Sequence, residues 1–178
     1  MLFTETPLAG AFIIEPEPRT DERGYFARVW CQEEFAKRGL DTRLVQCSLS
    51  NNTRAGTLRG MHYQADPFPE VKVIRCTRGA IFDVIIDLRR DSFTFARHFA
   101  IILSSSNRTA LYVPGGLAHG FQTLEDDTDV MYQMSEFYRP SAARGVRWND
   151  SAFGIPWPHT DVRVMAERDA AYPDFART

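Results

Sequence analysis

The run Thr57-Leu58-Arg59-Gly60-Met61-His62-Tyr63-Gln64, followed by Val71-Lys72-Val73-Ile74-Arg75, sets an imidazole, a guanidinium and an ammonium on neighbouring segments of β type. These three groups can take a proton, hold a phosphate and stabilise an oxyanion. Histidine is the side chain whose ordinary pKa lies nearest neutrality, so it serves as a general base once a carboxylate orients it. A lysine alongside stabilises the negative charge that develops as the proton leaves. From these residues alone, a solvated basic strand bearing one histidine accounts for the pattern equally well.

The surrounding elements must position the trio. Gly10–Glu15 is short and apolar and is closed by Pro16 and Pro18, as in a strand that cannot continue as a helix. Asp21-Glu22-Arg23-Gly24 makes a turn, and Tyr25–Trp30 resumes with strand propensity. A short surface helix is expected over Glu33–Arg38, acidic at its start, basic at its end and followed by Gly39, with Glu33/Lys37 and Glu34/Arg38 pairs. From Arg43 onward strand-like runs recur at 43–51, 57–63, 71–77, 80–88, 95–103, 109–113, 118–123 and 128–137. Their regular spacing without helical patterns predicts an antiparallel sandwich or barrel.

Within that series a hairpin is expected between Val71–Thr77 and Ala80–Leu88 through Arg78-Gly79. Phe82, Val84, Ile86 and Leu88 share one face and Asp83 and Asp87 the other, which reads as a half-buried strand. By the same alternation Lys72 lies with Ile74 and Cys76 and projects toward an apolar interior, where it needs an anionic partner or ligand. The tail from Trp148, rich in proline and aromatics, is expected to pack as an ordered cap on a single domain spanning 1–178.

Composition limits the function. The chain has 178 residues, 44% of them hydrophobic, enough for a real core. A formal charge of −2 and a pI near 6.1 give no reason to expect nucleic acid, so an anionic ligand must be held locally. Cys31, Cys47 and Cys76 have no C-x-x-C spacing and read as reduced thiols. No segment approaches membrane-spanning length, and the N-terminus has no basic region followed by an apolar run, so a soluble cytoplasmic protein is expected.

The second chemical stretch is Tyr112-Val113-Pro114-Gly115-Gly116-Leu117-Ala118-His119-Gly120-Phe121-Gln122, a proline-glycine turn with a histidine at the start of a strand. It resembles the second conserved motif of the cupin barrels, and the Leu58–Tyr63 run resembles the region of their first. Metal-binding cupins carry paired histidines and a glutamate in that first motif. Here Gly60 and Gln64 flank His62, no glutamate follows within a few residues, and with at most two imidazoles a metal-free barrel is expected.

Arg23-Gly24-Tyr25-Phe26, Leu58–Gln64, Val113–Phe121, Tyr138-Arg139-Pro140, Trp148-Asn149-Asp150 and Gly154-Ile155-Pro156-Trp157-Pro158 together resemble the dTDP-4-dehydrorhamnose 3,5-epimerase family, in order over nearly the whole chain. The resemblance implies an all-β, cupin-type jelly-roll barrel with short peripheral helices. It also implies a homodimer, without cofactor or metal, acting on a dTDP-linked or other nucleotide-linked 4-keto-6-deoxy hexose of a deoxysugar pathway. It makes His62 the base oriented by Asp169, Lys72 the enolate stabiliser and Tyr132 the proton donor. Arg59 and Arg23 would grip the pyrophosphate, Gln46, Ser48 and His119 would line the site, and Phe26 and Tyr138 would contact nucleoside or sugar, with the Arg23 region reaching across the dimer. Taken alone, Tyr132 is one more core aromatic, Asp169 a solvated tail charge and His119 a cap on its turn; position within the whole pattern makes them site residues.

This chain departs from the family at Arg28, Ala143, Ser48 and Arg168, where glutamate, glutamate, the asparagine of Q-x-N-x-S and lysine are usual. These are mostly substrate contacts, so an epimerase of C3 only or C5 only, serving a related deoxysugar, stays open. A non-catalytic sugar-nucleotide-binding barrel is the alternative from another class, and it has no need of a base and an opposed acid. A ketoisomerase is disfavoured by the His62, Lys72 and Tyr132 set, and a metal-dependent oxygenase by the missing ligands.

Overall fold

The computed structural model describes residues 1–159, 161, 162 and 164–176, so Arg177 and Thr178 at the end of the expected domain lie outside the described residues. In chain order the first half contributes β1 (Leu2–Glu5), β2 (Phe12–Glu15), β3 (Arg19–Asp21), β4 (Gly24–Phe26), α1 (Gln32–Ala36), β5 (Gln46–Asn52), β6 (Leu58–Gln64), β7 (Lys72–Arg78) and β8 (Ala80–Asp87). The second half contributes β9 (His98–Ser104), β10 (Ala110–Val113), β11 (Leu117–Thr123), β12 (Thr128–Met134), β13 (Ala143–Gly145) and α2 (Glu167–Ala170). The eight runs expected from Arg43 onward all form strands. β1, β3 and β13 add three that the pattern did not announce.

The strands make a jelly roll of two facing antiparallel sheets, one ordered β1-β2-β10-β7-β12-β5 and the other β13-β6-β11-β8-β9. Between them lies an apolar core containing Ile74, Ile81, Ile85, Leu103, Leu111, Val113, Phe121 and Val130. The fold is all-β and cupin-type, as the runs of alternating residues require.

Each sheet is also covered over part of its outer face, and this corrects the half-buried reading of β8. Phe82, Val84 and Ile86 point outward but are sealed by Phe153, Ile155, Trp157 and Phe175 of the C-terminal segment. Asp83 and Asp87 alternate inward with Ile81 and Ile85 and are fully buried. On the other sheet Phe35 of α1 is fully buried against Phe3, Trp30 and Tyr112. That burial contributes roughly 1.5–3 kcal/mol. The expected Glu34/Arg38 ion pair is not formed. Glu34 instead takes the Met1 amine at 3.0 Å and Arg28 at 3.2 Å, while Arg38 Nη1 donates to the Glu34 carbonyl at 2.9 Å.

The expected hairpin at Arg78-Gly79 is also corrected. β7 pairs with β10 and β12, and β8 with β9 and β11, so Arg78-Gly79 is a corner where the chain passes from one sheet to the other. Alternation and a glycine turn identify two strands, but they do not say which strands will be partners. Gly79 has φ +73°, and its carbonyl accepts the Ser105 N–H at 3.0 Å.

Asp87 anchors one end of this scaffold. Its carboxylate accepts from Arg89 Nη2 at 2.7 Å and from Ser92 Oγ and Thr94 Oγ1 at 2.6 Å each, and Arg89 goes on to the Ala9 carbonyl at 2.8 Å. Burial alone would raise the carboxyl, but these donors hold it at about 2 against the usual 3.8. The folded value is depressed, so the stabilisation, roughly 2 kcal/mol, is present above pH 3.8 and lost as pH falls through about 2. Asp87→Asn should therefore lower the melting temperature by about 4–8 °C at pH 7. Melts repeated at descending pH should show the gap to wild type closing below pH 4, and a gap independent of pH would contradict the assignment.

Candidate active site

β6 and β11 run side by side, with His62 paired to His119 and Arg59 to Phe121. Three residue steps on β6 match two on β11, which is a β-bulge. The extra residue reverses the alternation, so Arg59 and His62, which strict period-two geometry would send to opposite faces, both open onto one cavity. The bulge needs glycine. Gly60 has φ +132°, and a Cβ there would stand 2.5 Å from Cα of Gly120.

The cavity holds about 640 Å³ between the two sheets. It brings together nine of the eleven expected site residues: His62, Asp169, Lys72, Tyr132, Gln46, Ser48, Arg59, His119 and Tyr138. His62 and His119 enter from the five-stranded sheet. Lys72, Tyr132, Gln46 and Ser48 enter from the six-stranded sheet opposite. Arg23 and Phe26 are not brought in. They sit on the β3–β4 hairpin, which pairs with neither sheet and has all six strand residues exposed. Arg23 turns back to Asp21 at 2.6 Å, and Phe26 is 77% exposed.

His62 Nε2 lies 2.7 Å from Asp169 Oδ1, and Asp169 Oδ2 accepts the Gly60 N–H at 3.2 Å. With Nε2–H given to the carboxylate, Nδ1 carries the ring's lone pair. Asp169 is 2% exposed, so the solvated-tail reading does not hold. Burial alone would raise its carboxyl, but the His62 hydrogen bond and charge, the Gly60 N–H and Arg168 together hold it below the usual carboxylate range. The Arg168 guanidinium lies alongside, Nη2 3.4 Å from His62 Nε2.

A second imidazole–carboxylate pair sits across the strand, His119 Nε2 to Asp83 Oδ1 at 2.7 Å. Burial pushes the Asp83 carboxyl up, and its Oδ2 makes no hydrogen bond. The Tyr132 ring stands edge-on to His119, centroids 5.9 Å apart. Burial, reinforced by the Asp83 charge, pushes the Tyr132 phenol well above its usual range against the pull of Arg59, so it stays protonated.

Lys72 is buried as alternation predicts, and the anionic partner it needs is Glu70, Nζ to Oε1 at 2.8 Å. Glu70 was missed, although it stands two residues before Lys72 and shares its parity. Lys72 Nζ also donates to the His62 carbonyl at 3.4 Å, and both side chains line the cavity. Asn52 was missed as well. It is buried and takes Arg59 Nε at 2.7 Å, which aims the guanidinium.

Gln64, which flanks His62 on β6, is committed to the fold: it donates to the carbonyls of Phe68 and Phe137 at 3.2 Å each and accepts the Arg139 N–H at 2.6 Å. Among the described residues no three His, Cys, Asp or Glu side chains gather as a ligand set. No helix among them is long and apolar enough to cross a membrane.

A jelly roll that sets an aspartate-paired histidine and a tyrosine on facing walls of one cavity, with a buried lysine among them, is an arrangement suited to proton transfer. The family model described as dTDP-4-dehydrorhamnose 3,5-epimerase matches residues 5–177. The chain belongs to this family of isomerases. Its relatives include the dTDP-4-dehydrorhamnose 3,5-epimerase of Methanothermobacter thermautotrophicus, 43% identical over 94% of this chain and 90% of that one. The Bacillus anthracis enzyme of the same name, solved with TDP and PPi bound, superposes with a TM-score of 0.94 at 39% identity, covering 98% of this chain and 99% of that one. A 3′-monoepimerase from Streptomyces bikiniensis, solved with dTDP-quinovose, gives 0.88 at 32% identity, covering 95% and 85%.

The bulge carries a prediction. Gly60→Ala forces a Cβ onto the Gly120 backbone in a conformation that only glycine adopts easily, at a cost of at least about 2 kcal/mol. Its melting temperature should fall by about 4–8 °C or more, and an unchanged melting curve would show that β6 is not bulged at this point.

Proposed function

We propose that this protein inverts C3 and C5 of a dTDP-linked 4-keto-6-deoxy hexose, converting dTDP-4-dehydro-6-deoxyglucose to dTDP-4-dehydrorhamnose. The observation that carries the reading is the placement of His62, paired to Asp169 of α2, on one sheet and the protonated Tyr132 on the sheet opposite, across a single cavity. A ketone at C4 acidifies the hydrogens on C3 and C5. His62 removes one of them through Nδ1, and Asp169 stabilises the imidazolium that forms. The electron pair moves to O4 as an enolate, held by the Lys72 ammonium. Tyr132 then returns a proton from the other face, so the carbon is inverted, and exchange with solvent resets both groups. No redox equivalent is consumed. Arg59 and Arg168 supply positive charge for the diphosphate.

A second reading, inversion at C3 alone, draws on Ser48, Ala143 and Arg168, which line the cavity where the family carries other residues, and on the resemblance to a monoepimerase. Incubation with dTDP-4-keto-6-deoxyglucose in deuterated solvent separates the two, because label at both carbons supports the main reading and label confined to C3 supports the second. His62→Ala should abolish exchange by on the order of 10²–10⁴-fold with the fold intact. Tyr132→Phe should still exchange at C3 while inverting slowly. Bound substrate with label at neither carbon in the wild type would sink the epimerase reading.

We further propose a homodimer, working in the cytoplasm, where Cys31, Cys47 and Cys76 stay free. The β3–β4 hairpin exposes Tyr25 and Phe26, and β5 is an edge strand with Leu49 66% exposed; such apolar surface is what a second copy covers. A hairpin received by the partner would carry Arg23 to that partner's diphosphate. Light scattering should give twice the 20.3 kDa chain mass, and Phe26→Asp should lower the mass and raise KM together; a monomeric wild type of full activity would refute this.

A further inference from the structure

Asp169 reaches His62 from the far end of the chain, on a helix of four residues without a side-chain cap. So short a helix does not hold itself in water, and its position must be set by what it packs against. Upstream, Val164 bridges to Thr57 and its carbonyl takes the Leu58 N–H at 2.9 Å. Downstream, Asp174 pairs with Arg147, the Phe175 N–H donates to Asp150 Oδ2 at 2.7 Å, and the Phe175 ring lies 4.8 Å from that of Phe153. Between these anchors Met165, Ala166, Arg168, Asp169 and Tyr172 line the cavity, and Asp169 and Tyr172 both reach the His62 ring.

Tyr172 occupies a notch made for it. Gly145 of β13 is the cross-strand partner of His62, and a methyl group on Gly145 would fall inside the Tyr172 ring. The ring stands edge-on to the His62 imidazole, centroids 6.3 Å apart and planes at 70°. Asp169 lies in α2 and Tyr172 two residues past its end, so a single segment delivers a carboxylate to Nε2 and an aromatic edge to the ring.

We propose that Tyr172 is a positioning residue: seated over Gly145, it holds the C-terminal turn so that Asp169 meets His62. It acts through packing, and through Asp169, and it performs no proton transfer. The kinetic part of this inference rests on the epimerase reading; the spectroscopic part does not.

The test reads the downfield Nε2–H resonance of His62 in protein labelled with ¹⁵N in its imidazoles, assigned by its loss in His62→Ala and Asp169→Ala. Tyr172→Ala and Gly145→Ala should broaden or abolish that resonance, and Tyr172→Phe should keep it. In parallel, kcat for deuterium incorporation should fall on the order of 10–100-fold in Tyr172→Ala with KM nearly unchanged, and Tyr172→Phe should recover it. In an Asp169→Ala background the added Tyr172→Ala should cost almost nothing. Should Tyr172→Ala melt below the assay temperature, Gly145→Ala carries the same test. An intact resonance in Tyr172→Ala, or the same fold-loss in both backgrounds, would overturn the proposal, the latter by marking a direct substrate contact. A wild type that keeps the resonance but exchanges neither carbon would fail the epimerase reading alone.

Discussion

The backbones of β6 and β11 touch at Gly60 and Gly120, and the site depends on that approach. Where the two strands come this close no side chain fits between them, and β6 carries one extra residue at that point. The bulge that results turns Arg59 and His62 toward the same interior. Without it the sheet would still form, but the Arg59 guanidinium and the His62 imidazole would lie on opposite faces of one strand. The same region supplies the Gly60 N–H to Asp169, so a single irregularity orients imidazole, carboxylate and guanidinium together.

Around this point the barrel interior divides its chemistry between two walls. The five-stranded sheet carries both imidazoles, each paired to a carboxylate at 2.7 Å, and the six-stranded sheet carries the tyrosine and the lysine. Burial affects the acids differently. Asp169 has a backbone donor, an imidazole and a guanidinium nearby and stays low, whereas Asp83 has one imidazole and an orphan oxygen and is pushed up. A charge in a low-dielectric interior is tolerated in proportion to the donors it finds. Lys72 obeys the same rule through Glu70.

The C-terminal segment has two roles that come from one geometry. Its aromatic residues seal the outer face of β8 and β11, and its last turn crosses to the mouth of the cavity to place Asp169. Sealing fixes the path of the chain, and the fixed path fixes the carboxylate. This is how a residue 107 positions from His62 in sequence becomes its hydrogen-bond partner.

The sequence by itself determined the strands, because alternation and turn residues are local properties, and the eight runs from Arg43 onward fold where they were expected. It determined the inward side chain of Lys72, and, through motifs resembling a known family, nine residues of one cavity. Strand partners were decided only in three dimensions: Arg78-Gly79 has the composition of a hairpin turn and is a corner between sheets, because covering both faces of β8 outweighs pairing with its neighbour in sequence. Burial was decided there too. Asp83 and Asp87 alternate with apolar residues as solvated carboxylates do, and only a sheet covered on both sides makes them interior. Arg23 and Phe26 carry family motifs but lie on a hairpin outside the cavity, since a motif records residue types and not the surface that receives them. The bulge at Gly60 and the seat of Tyr172 over Gly145 leave no local pattern, because each is set by the close approach of segments far apart in the chain.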